Sequence, residues 1–185
     1  MSTAPAKYSW LQVSLHWLAA LGVVAMFAIG LAAESAGEAG DREARGALMG
    51  LHISLGVTLF LIFAARIVAH YTTTQPAPAP QPRLLQIVSK ATHHLLLLAI
   101  ILLIISGPMA VWSRGAPINV WDAFALPSPF AERNDTVHET AETIHAIGRF
   151  MLWVLVPLHV LGALKHVVFD RDGVFSRMLG IAPKS

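Results

Sequence analysis

The chain has no cysteine. That excludes disulfides, thiolate-held zinc and Cys-ligated iron–sulfur clusters, so a tightly held metal must use histidine, methionine or carboxylate. Charge is also scarce: Asp, Glu, Lys and Arg make up 13% of the 185 residues, against 55% hydrophobic residues, and mean hydropathy is +0.60. Such a composition leaves too little polar surface to cover a soluble globule and points to a membrane, with lipid as a partner and no nucleic acid. No internal repeat is present. What is plentiful is histidine, at nine copies.

Four stretches are apolar and long enough to cross a bilayer, about 13–32, 48–70, 91–112 and 144–169. They predict an all-α integral membrane protein, a single four-helix bundle occupying residues 1–185. The N-terminal apolar run follows a weakly basic start (Lys7) and lacks a compelling small-residue cleavage site, so it reads as a retained helix. The connections differ. Residues 33–47 form a short acidic loop, 71–90 carry the helix-breaking run QPAPAPQP, and 113–143 form a long loop with Pro117, Pro127 and Pro129. Asp135 or Thr136 is expected to cap a short amphipathic helix that leads into the fourth span.

Basic residues orient the bundle. Lys7, Arg66, Arg83, Lys90, Lys165, Arg171, Arg177 and Lys184 lie toward one side, and Arg42, Arg45, Arg114 and Arg133 toward the other. The positive-inside rule therefore places both termini in the cytoplasm. The outer side also carries Glu34, Glu38, Asp41, Glu43, Asp122, Glu132, Asp135, Glu139 and Glu142, which leaves its loops with a net charge of −5.

On the last span His145, His159 and His166 are separated by fourteen and seven residues. At 3.6 residues per turn they fall on nearly one stripe, with His145 and His159 about 21 Å apart along the axis. Alternate helices run in opposite directions, so depth pairs His16 with His159 in the inner leaflet and His52 with His145 in the outer. Imidazoles in hydrocarbon must pair or bind something. Zinc wants about four ligands, which neither pair offers, whereas six-coordinate haem iron needs two axial imidazoles and an apolar sheath. Gly56, Gly148 and Gly162, three or four residues beyond a histidine, leave room for a porphyrin face. Arg149, one turn from His145, is a natural haem-propionate partner, and Arg114 at the outer end of the third span is a second. Met26, Met109 and Met151 read as packing residues. His94 and His70 read as interfacial, and His138 as part of the outer loop.

The segments YSWLQVSLHWL, LHISLGV and GPMAVWSRGAP, with the H-x13-H-x6-H run, resemble the bacterial cytochrome b561 family over nearly the whole chain. The resemblance implies two haem b groups, the inner on His16 and His159 and the outer on His52 and His145. The type it comes nearest to takes electrons from superoxide at the periplasmic face and reduces ubiquinone, which implies a quinone site at the cytoplasmic end near His166. An imidazole there, one heptad beyond His159, suits proton delivery to a quinone; His93 is a second candidate quinone or propionate contact. No protein nucleophile is needed.

An outer charge of −5 opposes an anionic donor unless Arg42, Arg45, Arg114 and Arg133 gather as a positive funnel at the haem mouth. A quinone-linked cytochrome b serving a periplasmic redox protein, or a dehydrogenase or hydrogenase partner docked on 113–143, is the alternative. A haem carrier without turnover is disfavoured by bis-histidine ligation.

Overall fold

A computed structural model describes residues 7–182; Lys184, counted above among the basic residues, lies outside that range. Four long helices dominate: α1 Trp10–Glu38, α2 Arg42–Thr72, α3 Arg83–Trp112 and α4 Asp135–Lys165. All four are long and apolar enough to cross a membrane. The first three expected spans lie inside one helix each, while the fourth, 144–169, passes the end of α4 at Lys165 into the turn that follows; at their other ends the helices run well past the apolar stretches. The acidic 33–47 segment is helix except for the turn around Ala39–Asp41, because α1 continues to Glu38 and Asp41 caps α2 by accepting from the Ala44 N–H at 2.9 Å. Charged residues end a hydrophobic run without ending a helix.

Other helix ends also have local causes. Ser9 and Gln12 form a reciprocal capping box at the start of α1, each side chain accepting the other's backbone N–H. The proline-rich connection is non-helical only up to Pro82, after which α3 begins. The expected short helix before the fourth span is absent. Asn134, not Asp135 or Thr136, is the cap, accepting from Val137 N–H at 3.1 Å, and α4 runs unbroken from Asp135. Beyond Lys165 the chain widens into a π-helical turn, His166–Asp170, and then a short helix α5, Val174–Met178.

The long outer connection is thus shorter than 113–143 and is not all loop. It holds a hairpin, β1 Ile118–Val120 paired antiparallel with β2 Phe124–Leu126, with Val120 opposite Phe124. Trp121 and Asp122 at its tip both have positive φ, 50° and 53°, and Ala123 N–H closes the turn on Val120 at 2.9 Å. Trp121 pins the hairpin to α2: its backbone N–H donates to Ser54 Oγ and its indole N–H to Thr58 Oγ1.

The bundle is two helical hairpins. α1 lies along α2 and α3 along α4, while between hairpins, among the described residues, the closest backbone approach of the long helices is that of α2 and α3. Small residues carry the packing: Ala19, Ala33, Ala69, Ala99 and Ala141 are buried, and a Cβ on Gly22 would collide with Leu59. The large apolar side chains, including Leu21, Phe60, Leu61, Phe150, Trp153 and Leu161, point outward. In water that surface would be untenable; in lipid it is the expected exterior.

At one end Lys7 Nζ donates to Gly180 O, Trp17 Nε1 to Met178 O and Arg177 to Ala77 O. Lys7 and the start of α1, the Pro-Ala connection and the C-terminal turn are thereby gathered at the same end, called the inner end below after the orientation expected from sequence, with the hairpin end called the outer.

Candidate functional site

Five histidines from all four helices converge on the seam between the hairpins. His52 of α2 faces His145 of α4 with ring centroids 6.4 Å apart and planes at 64°. His16 of α1 faces His159 of α4 at 6.2 Å and 57°. Depth had paired the same residues. Two imidazoles bonded to opposite sides of one metal at about 2.0–2.1 Å have centroids about 6 Å apart. Both pairs have that separation, and direct imidazole–imidazole hydrogen bonding is absent from either.

The surroundings fit a large group held by these rings. His52 Nδ1 is buried with no side-chain partner and turns toward the α1 backbone at Met26 and Gly30. A Cβ on Gly30 would lie 3.6 Å from the His52 ring, and one on Gly107 would lie 3.7 Å from the His145 ring. These two glycines clear the flanks of the outer pair. Of the glycines singled out from sequence, Gly148 behaves otherwise. Gly148 packs α4 against α3, where a Cβ would meet Leu103 at 2.9 Å and the Ala99 carbonyl at 3.3 Å, so its smallness serves helix contact and not a porphyrin face. Gly56 meets the Met26 methyl at 3.6 Å, in keeping with a packing methionine, and Gly162 meets no protein atom within 4 Å.

The two pairs have different neighbours. Ser106 Oγ lies 3.0 Å from His145 Nδ1 and 3.5 Å from the Leu103 carbonyl, a position from which it can accept the imidazole N–H. At the inner pair Arg66 Nη1 lies 2.7 Å from His16 Nδ1. His93 of α3 stands edge-on to His159 at 5.3 Å, closer than the two facing pairs. It is part of the inner cluster and not only of its rim. Ser106 carries no signal in sequence; Arg66 does, because an arginine inside an apolar run demands a partner.

The sequence matches the family described as prokaryotic cytochrome b561 over residues 7–180. The chain belongs to that family. It is 29% identical over 182 residues to cytochrome b561 homolog 2 of Escherichia coli (strain K12), covering 97% of this chain and 94% of the relative. It is 30% identical over 176 residues to a Yersinia pestis protein named probable superoxide oxidase CybB, covering 94% and 96%. Membership makes this chain a membrane electron-transfer protein that binds haem b, and the facing imidazoles suit that group.

At the outer end three arginines are engaged by acids. Arg149 meets Glu34 at 3.7 Å, Arg114 meets Glu142 at 3.2 Å, and Arg133 meets Asp135. The anticipated positive funnel is therefore not assembled from Arg114 and Arg133. His138, expected in the outer loop, is instead buried on the first turns of α4. Its Nδ1 contacts the Ala110 carbonyl at 3.0 Å and Ser113 Oγ at 3.2 Å, while Nε2 faces Glu142 and Arg114. It clamps the end of α3 to the start of α4, and the His-x3-Glu spacing would have shown this had the helix start been placed at 135.

At the inner end His166 sits on the π turn with Nδ1 2.7 Å from Asp172 and 3.2 Å from Asp170, which Lys165 also engages. Partial burial works to raise the Asp172 carboxyl, but the Val174 N–H and the His166 imidazole hold it below its ordinary value. π turns recur at functional positions. His94 and His70 stay on exposed helix surface, His94 bonded to its own Lys90 carbonyl and His70 edge-on to Tyr71.

Proposed function

We propose that this chain is a di-haem cytochrome b561 that moves electrons across the bacterial inner membrane from superoxide at the periplasmic face to ubiquinone. The observation that carries the reading is the pair of facing imidazole sets, His16 with His159 and His52 with His145, stacked along one seam at 6.2 and 6.4 Å. When bound there, haem b supplies reversible one-electron chemistry at two depths. The chain itself would hold each group through its paired imidazoles and supply spacing and an apolar sheath.

Each of two superoxide anions loses one electron and leaves as dioxygen, and the two electrons with two protons reduce one ubiquinone to ubiquinol. Protons must enter where quinone is reduced. His166, hydrogen-bonded to ionised Asp172 at the inner end, is placed to pass a proton from water to a quinone oxygen. His93 is the second candidate contact, through its place beside His159. Arg149 and Arg114, each now on a carboxylate, are candidates to exchange that partner for a haem propionate.

One observation favours a periplasmic redox protein as donor: on an acid-rich outer face, Arg114 and Arg133 are each paired with a carboxylate. Stopped-flow reduction by superoxide, with and without a ubiquinone analogue, separates the readings. Superoxide oxidation requires fast haem reduction that slows with added salt and passes to the quinone. Slow, salt-independent reduction would assign the donor role to a protein.

A further inference from the structure

We propose that Arg66 and Ser106 set the direction of electron flow, Arg66 by raising the reduction potential at the inner histidine pair and Ser106 by lowering it at the outer pair. This rests on the reading that each pair holds one haem b. The argument begins with what each side chain can do to an axial imidazole. An imidazole bound to iron through one nitrogen carries a proton on the other. A hydroxyl that accepts that N–H raises the ligand's basicity, which favours the oxidised iron and lowers the potential. Ser106 Oγ is in that position for His145, 3.0 Å from Nδ1, when the ring is held through its other nitrogen.

Arg66 cannot act that way, since a guanidinium has donors only. Beside a metal-bound His16 it is instead a fixed positive charge, whether it stays near the ring or turns to a haem carboxylate. Added positive charge favours the iron state with one more electron and raises the potential.

Compensation separates the two sites. The arginine nearest the outer pair in sequence, Arg149, meets Glu34 at 3.7 Å, so its charge is offset. Among the described residues Arg66 has an imidazole partner and no carboxylate partner. The only acids near that end, Asp170 and Asp172, are already engaged by Lys165 and His166. Propionates arrive with either haem and do not remove the difference. With haem b held at both pairs, both devices would make transfer of one electron from the outer site to the inner downhill.

The test is a redox titration of the purified holoprotein, read from the haem absorption bands, on wild type, Arg66→Gln, Arg66→Lys and Ser106→Ala. Arg66→Gln is expected to move the inner component to lower potential and leave the outer in place, with Arg66→Lys restoring most of the shift. Ser106→Ala is expected to move the outer component upward alone. Repeating Arg66→Gln in a His145→Ala background, where the inner haem should remain by itself, assigns the component. Two haems with unmoved potentials, or both components moving together, would overturn the proposal. A wild-type protein without two haems would overturn the underlying reading instead. If Arg66→Gln does not assemble, the outer potential of Ser106→Ala decides.

Discussion

At the outer end of the bundle Arg114 meets Glu142, Arg133 meets Asp135 and Arg149 meets Glu34; at the inner end Arg66 meets an imidazole. The outer pair of histidines has a serine acceptor and two glycines at its flanks, while the inner pair has a third histidine at 5.3 Å. One helix, α4, supplies a ring to both. The repeated element is thus the imidazole pair, and what differs is the shell around it. Ligand identity would make two similar sites; neighbouring charge and hydrogen bonding make them unequal.

The largest effect expected from this comparison is loss of one haem at a time. His52→Ala or His145→Ala should halve the haem content while His16 and His159 retain theirs, and the reverse pair of variants should do the opposite. A pyridine haemochrome assay showing both lost, or neither, would break the two-site division. Next in size, His166→Ala should keep both haems and slow ubiquinone reduction about 100-fold, the scale of a lost general acid. Unchanged quinone kinetics would remove His166 from that role.

A smaller contrast concerns two glycines of α4. Gly148→Ala forces a Cβ against Leu103 and the Ala99 carbonyl and should cost about 1–3 kcal/mol, seen as a lowered Tm. Gly162→Ala meets no protein atom and should be tolerated; an equal fall in Tm would erase that difference between the two halves.

The smallest effect is one of pH at the inner end. The Asp172 carboxyl lies below its ordinary value in the folded chain, so its contribution is present above the unfolded carboxylate pKa and is lost as pH falls through the lower folded value. Exchange protection of the Val174 amide should weaken across that acid window and lose its pH dependence in Asp172→Asn.

Much of this was legible in the residues. The four spans and the pairing of histidines by depth required only helical periodicity and alternating chain direction, which are local and one-dimensional. The ends of the helices were less legible, because Asp41 and Asn134 cap helices whose first turns are polar, and hydropathy does not register a polar turn. The hairpin at 118–126 was missed because its strands are three residues each and are held by Trp121 reaching Ser54 and Thr58, contacts 67 and 63 residues away.

The sequence by itself determined the solvent, the number of spans and the type of ligand, since composition and spacing already constrain those. Only the tertiary structure decided what each ligand touches. Ser106 against His145, Arg66 against His16, His138 between α3 and α4 and Asp172 folded back on His166 are all products of side-chain direction across packed helices and turns. Those directions depend on how two hairpins close on each other, and no spacing along one chain specifies that.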